Sequence, residues 1–176
     1  MRNDKTLILG GVRSGKSRLA ERLAVDSGLP VTYIATATAQ DDEMRTRIAA
    51  HRAQRPAHWR LVEEPVHLAT ALHAHADNEC CVLVDCLTLW LTNLLMTEDA
   101  QRLERERTAL LETLPTVPGK IILVGNETNM GIMPLGALAR RYCDAAGLLH
   151  QALAQHCERV ILTVAGLPHT LKGEPV

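Results

Sequence analysis

Gly10-Gly11-Val12-Arg13-Ser14-Gly15-Lys16-Ser17 closes a short apolar run, Thr6 to Leu9, and opens a helically spaced segment, Arg18 to Val25. The stretch fits G-x-x-x-x-G-K-[ST], the phosphate-binding loop between a strand and a helix. Each part has a physical reason. Glycines let backbone N–H groups turn inward and come close to phosphate oxygens. The helix that follows adds the positive end of its dipole. Lys16 supplies a point charge for the β and γ phosphates. The Ser17 hydroxyl suits a Mg²⁺ ion. Gly10, Gly11, Val12, Arg13, Ser14, Gly15, Lys16 and Ser17 are therefore candidate nucleotide-binding residues.

Outward from this loop the chain alternates short apolar runs with helical spacings. Strands are predicted at Val31–Ile34, Trp59–Val62, Cys80–Val84, Lys120–Val124 and Val160–Val164. Helices are predicted at Asp42–Arg52, His67–His75, Leu87–Leu95, Arg102–Leu114 and Leu135–His156. The last carries apolar residues at 135, 138, 142, 145, 149 and 153, one stripe of a helix. This order predicts an α/β fold, a mostly parallel sheet with helices on both faces. Ligands then gather at the carboxyl ends of the strands.

The chain has 176 residues, which predicts one domain over 1–176, and no stretch reads as a long linker or repeat. Aromatic residues make up 2% and Phe is absent, so the core is aliphatic and base-stacking platforms are excluded. A net charge of −1 argues against nucleic acid as the partner. No apolar stretch is long enough to span a membrane, and the start reads as entering a strand rather than a secretory leader. Five cysteines without a CxxC pair disfavour zinc and read as reduced, mostly buried thiols of a cytoplasmic protein.

Two further features bear on chemistry. Cys-Cys-Val-Leu-Val-Asp puts Asp85 at the end of a strand expected to neighbour the first, where it can hold Mg²⁺. The other reading is an N-cap for the helix starting near Leu87, and the two roles can coexist. Between Arg45 and Arg60 lie five arginines, two histidines and no acid. Arginine suits bidentate phosphate contacts, and a solvated helix face is the plainer alternative. Met44, Ile48, His51 and Arg55 share one helix face by spacing. His51 reads either as a hydrogen-bonded histidine at the core's edge or as a nucleophile that attacks phosphorus.

Taken together, the motifs resemble a family. The glycine turn is followed by Tyr33-Ile34-Ala35-Thr36-Ala37, Asp42-Glu43-Met44, Arg47-Ile48, His51-Arg52, Arg55-Pro56 and Trp59. Asp85-Cys86-Leu87-Thr88-Leu89-Trp90, Asn93-Leu94-Leu95, Asn126-Glu127, Gly131-Ile132 with Pro134, and Ala165-Gly166-Leu167-Pro168 complete the set. This resembles the bifunctional adenosylcobinamide kinase / adenosylcobinamide-phosphate guanylyltransferase family over nearly the whole chain.

The resemblance implies a RecA-like P-loop fold and a homotrimer. It implies phosphorylation of adenosylcobinamide by ATP or GTP, then transfer of GMP from GTP through a guanylylated histidine, which matches His51. Adenosylcobinamide-GDP and pyrophosphate are the products. Catalytic roles fall on His51 and Lys16. Nucleotide contacts extend from the glycine turn to Ala35, Thr36, Ala37, Arg52, Ala53, Gln54, Arg55, Glu63 and Asp85. Mg²⁺ falls to Ser17 and Asp85. No residue stands out as the base for the acceptor hydroxyl; Glu127, at a strand's end, is a candidate by position.

Three departures from the family's usual pattern occur. Thr128-Asn129 follows Asn126-Glu127 in place of Val-Gly, His150 stands in place of Asn, and Tyr142 in place of Phe. A kinase of another small alcohol with a structural His51, and a non-catalytic GTP-binding module, are the competing readings.

Overall fold

In the computed structural model, residues 4–38, 42, 45, 46 and 55–176 are described. The strands are β1 (Asp4–Gly10), β2 (Val31–Ala35), β3 (Arg60–Glu63), β4 (Cys81–Asp85), β5 (Lys120–Asn126), β6 (Arg159–Val164) and β7 (Leu167–Lys172). The helices are α1 (Lys16–Asp26), α2 (Leu68–His75), α3 (Leu87–Leu95), α4 (Arg102–Thr113) and α5 (Ala137–His156). Asp42, Arg45 and Thr46 are helical; the remainder of the helix expected at 42–52 lies outside the described residues.

The sheet runs β3-β2-β4-β5-β1-β6-β7. All neighbours are parallel except β6 and β7, which form a hairpin. Alternation along each strand sends side chains to opposite faces. Leu7, Leu9, Val82, Val84, Ile121 and Leu123 join helices α2 to α5 in one core. Ile8, Cys81, Leu83, Ile122 and Val124 pack with Leu19, Ala20 and Ala24 of α1, and with Tyr33 and Trp59, in the other. Strands β1, β2, β4, β5 and β6 are thus apolar on both sides, which explains the continuous runs in the sequence. Trp90 is fully buried, and its ring N–H donates to the Val66 carbonyl at 2.7 Å.

Three expectations change. The strand ending in Asp85 does not neighbour β1, because β5 lies between them. Pairing order in a parallel sheet is a long-range property that strand composition does not encode. Second, the chain adds β7, which pairs antiparallel with β6 through Ala165 (φ 52°) and Gly166 (φ 81°). Two left-handed residues make the tight turn that suits hairpin twist. β7 contains Pro168 and no apolar run, as an edge strand allows.

Third, the stripe on α5 is not buried along its length. Leu135, just before the helix, is 96% exposed and Leu138 is 47% exposed. The helix begins beyond the carboxyl edge of the sheet, so about 12 Å of it precede the first buried residue, Ala145.

Candidate functional site

The parallel strands deliver their carboxyl ends to one edge. Gly10 ends β1, Ala35 ends β2, Glu63 ends β3, Asp85 ends β4, and Asn126 with Glu127 ends β5. α1 leaves β1 on one face, whereas α2 to α5 lie on the other. The crevice at such a reversal is where open α/β sheets bind ligands.

The glycine turn is held by steric necessity. A Cβ on Gly10 would sit 2.4 Å from Ser14 Oγ and 2.6 Å from the Thr163 carbonyl oxygen. Gly15 has φ 96°, and a Cβ there would meet Gly166 Cα at 3.1 Å. Arg13 also takes a left-handed conformation, φ 56°, uncommon outside glycine. The Ser14 N–H donates to the Gly11 carbonyl at 3.2 Å, and the Leu19 N–H to that of Gly15 at 3.0 Å. Lys16 Nζ donates to the Gly11 carbonyl at 3.1 Å, which brings the ammonium over the turn. Gly11, Val12 and Arg13 are exposed, and a Cβ on Gly11 would meet nothing within 4 Å.

The β6–β7 hairpin braces this turn. The Gly166 N–H donates to the Ser14 carbonyl at 2.8 Å. Sequence reading placed Ala165-Gly166 in a motif but missed this support, since a contact between residues 14 and 166 has no local signature.

These contacts predict an asymmetry between two glycines. Gly10→Ala is expected to cost about 1–3 kcal/mol of stability through overpacking. At about 2–4 °C per kcal/mol for a domain of this size, thermal unfolding shows the loss directly. Gly11→Ala is expected to melt like the parent. Equal melting temperatures for all three chains would contradict the packing described.

Asp85 is half-buried at the tip of β4. The N-cap position of α3 belongs to Cys86, with no side-chain cap bond, so the capping reading of Asp85 is not realised. Instead the Asp85 carboxylate faces the Tyr33 phenol. Burial first, and then the Asp85 charge, push the Tyr33 phenol far above its ordinary range, so it remains a donor. Arg55 stacks on the same ring, its guanidinium carbon 3.9 Å from the centroid. Tyr33 thereby links an arginine and the Asp85 carboxylate. Arg55 Nε is buried and makes no hydrogen bond, an unspent donor on the face of that ring.

Thr36 plays a supporting part. It is fully buried; its hydroxyl donates to the Cys86 carbonyl at 2.6 Å and accepts from the Cys86 N–H at 3.0 Å. The Asn93 amide donates to the Thr36 carbonyl at 2.8 Å and to the Pro65 carbonyl at 3.1 Å. These bonds fix the backbone next to Asp85. Ala35 and Ala37 are half-buried beside it, and Glu63 is exposed at the tip of β3.

His51, Arg52, Ala53 and Gln54 lie outside the described residues. Of the other arginines in that stretch, Arg45 pairs with Asp42. Arg60 opens β3 and so lies at the amino edge of the sheet, near His75 and away from the glycine turn.

Among the described residues there is no cluster of three His, Cys, Asp or Glu side chains that could cage a metal. Ser17 and Asp85 offer one hydroxyl and one carboxylate, hard oxygen donors. That set suits Mg²⁺, which keeps water and takes its remaining ligands from substrate phosphates. All five cysteines are free; Cys81 and Cys157 are buried, and Cys80, Cys86 and Cys143 half-buried. Burial pushes the Cys86 thiol, beside the site, up to about 11, so it stays protonated.

Solved structures share this architecture at low identity. The RadB recombinase aligns with a TM-score of 0.51 and 18% identity, covering 91% of this chain and 74% of that one. A DnaB-like replicative helicase aligns with a TM-score of 0.51 and 11% identity, covering 92% of this chain and 47% of that one. The sheet, the glycine turn and these likenesses define a RecA-like P-loop nucleotide-binding protein.

Sequence comparison narrows the class. The profile of the cobinamide kinase / cobinamide phosphate guanyltransferase family matches residues 6–171, and the chain belongs to that family. The bifunctional adenosylcobalamin biosynthesis protein CobP of Pseudomonas aeruginosa is 66% identical over 172 residues, covering 98% of this chain and 99% of the relative. CobU of Escherichia coli, of the same description, is 42% identical over 179 residues, covering 94% and 98%.

Proposed function

We propose that this chain performs both reactions of its family, on adenosylcobinamide. In the first, ATP or GTP phosphorylates the aminopropanol hydroxyl. In the second, His51 displaces pyrophosphate from GTP, and the resulting guanylyl-histidine passes GMP to adenosylcobinamide phosphate, giving adenosylcobinamide-GDP. The supporting observation is the glycine turn with Lys16 on the same sheet edge as Asp85, in a chain that aligns end to end with bifunctional relatives.

The residues divide the labour. N–H groups of Gly11 to Ser17 and the α1 N-terminus cradle the triphosphate. Lys16 follows the charge as it moves to the leaving oxygen. Ser17 and Asp85 would hold Mg²⁺, which when bound would supply charge neutralisation to the phosphates. Tyr33 packs against Asp85, and Arg55 on its ring adds positive charge to this end of the site. Ala35, Thr36 and Ala37 shape the backbone at the nucleotide, with Glu63 at the outer end of the same edge. Arg52, Ala53 and Gln54, which follow His51 in sequence, take the further nucleotide contacts that the family resemblance implies. A histidine intermediate splits one displacement into two, so GMP transfer is ping-pong.

The exposed apolar residues Met130, Ile132, Met133, Leu135 and Leu138 support assembly into a homotrimer, because monomers rarely leave such a patch uncovered. Free cysteines and the absence of a membrane-spanning helix among the described residues support a cytoplasmic location.

The test is product analysis with adenosylcobinamide, Mg²⁺ and GTP. Adenosylcobinamide phosphate is expected first, then adenosylcobinamide-GDP with one pyrophosphate per transfer. Phosphorylation that stops there would favour the monofunctional kinase. Neither product would favour a binding module.

A further inference from the structure

β5 is the strand next to the P-loop strand, and it ends in a carboxylate. The Glu127 N–H donates to the Gly10 carbonyl at 3.0 Å, one residue past the last β1–β5 pair, Gly10 with Asn126. Asp85 lies on the strand beyond, and Glu63 at the outer edge of the sheet. With strands about 4.8 Å apart, Glu127 is the carboxylate nearest in sheet order to the glycine turn.

Its surroundings are built to hold it. Glu127 Oε1 accepts from the Asn129 N–H at 2.7 Å, and the Asn129 amide donates to the Cys143 carbonyl at 2.9 Å. Glu127 Oε2 faces His150 Nδ1 at 3.9 Å, within ion-pair reach but beyond a hydrogen bond; the side chains are 16% and 11% exposed. His150 Nδ1 is buried and has no other partner. Two glycines make the room. A Cβ on Gly125 would press on His150 Nε2 at 3.3 Å, and one on Gly147 would press on Asn129 Nδ2 at 3.1 Å. An unpaired buried ring nitrogen is costly, so its position calls for a reason.

We infer that Glu127 accepts the proton of the acceptor alcohol in the kinase half-reaction, and that His150 is the positioning residue that keeps its carboxylate in place. This rests on the functional reading above. The hydroxyl O–H bond breaks toward the Glu127 carboxylate as the oxygen bonds the γ-phosphorus. The bond from that phosphorus to the β–γ bridging oxygen breaks, and its electron pair leaves with the nucleoside diphosphate. The proton on Glu127 passes to solvent after product release. Burial holds the His150 imidazole below the ordinary histidine range, with the Glu127 charge opposing. At neutral pH the ring is therefore neutral: it packs against the carboxylate and limits its movement without ion-pairing it, so Oε2 can still take a proton. In acid the imidazolium pairs with Glu127 and competes with the substrate's proton. Glu127 on β5 is the one charged group acting on His150 among the described residues.

The experiment measures two half-reactions on the full chain. One is phosphate transfer from γ-labelled ATP to adenosylcobinamide; the other is self-guanylylation with α-labelled GTP. Glu127→Gln is expected to lower kinase kcat about 10²–10⁴-fold, the usual worth of a general base. Its nucleotide KM and its self-guanylylation are expected to stay within about 3-fold of the parent. His150→Ala is expected to lower kinase kcat about 10-fold without changing KM, and His150→Asn, which restores a polar group facing Glu127, to recover most of it. The parent's acid limb of kinase kcat is expected to weaken in His150→Asn. Kinase activity within about 3-fold of the parent in Glu127→Gln would overturn the proposal. So would equal loss of both half-reactions in a chain with the parent's melting curve, or an unchanged acid limb in His150→Asn. A parent chain that moves no phosphate to adenosylcobinamide overturns the functional reading itself, whereas an active parent with an active Glu127→Gln overturns only the Glu127 assignment.

Discussion

Lys16→Ala should reduce phosphate transfer to adenosylcobinamide by at least about 10²–10³-fold, the effect of removing one preorganised charge from a phosphoryl transfer site. The ammonium already leans over the turn through its bond to the Gly11 carbonyl. It needs little reorganisation to meet phosphate oxygens, and a methyl group at position 16 leaves that charge unanswered. Lys16→Arg should not rescue the rate, because a planar fork does not replace a point charge in a turn this tight. Steady-state kinetics with melting curves check the claim. A Lys16→Ala chain that turns over at the parent's rate would remove the glycine turn from the mechanism.

The second large effect belongs to His51→Ala. Adenosylcobinamide phosphate is expected to accumulate, with conversion to adenosylcobinamide-GDP reduced beyond about 10³-fold, the scale of losing a covalent nucleophile. Kinase turnover should survive, because the glycine turn, Asp85 and Glu127 are untouched. The substitution thus separates two activities that one nucleotide site supports. Equal loss of both would assign His51 a structural part and favour the simple kinase.

Much of this was legible because the decisive signals are local. The glycine turn is eight consecutive residues between a strand and a helix, so backbone freedom, dipole and charge are read in one window. The runs at Cys80–Val84 and Lys120–Val124 announce doubly buried strands because their apolar side chains alternate between two apolar cores. The helix at Leu87–Leu95 matched its spacing at both ends for the same reason.

What was not legible is long-range. Nothing in the composition of β5 says that it inserts between β1 and β4, and that insertion is what brings Glu127 to the Gly10 carbonyl. β7 carries no apolar run, and its turn matters through a bond to Ser14 at the other end of the chain. The Tyr33 bridge between Arg55 and Asp85 joins three segments. His150 stands out in the sequence only as a departure from the family's Asn; the fold alone sets it against Glu127. The exposed Leu135 and Leu138 show the converse, a helical stripe with no sheet beneath its start.

The central claim is that one histidine carries a guanylyl group between GTP and the corrinoid phosphate. Incubating the chain with α-labelled GTP and Mg²⁺, then denaturing it and measuring bound label, tests it directly. An acid-labile adduct approaching one label per chain, absent from His51→Ala and discharged by adenosylcobinamide phosphate, is the predicted result. Label that never stays with the denatured chain, or that persists in His51→Ala, would contradict it.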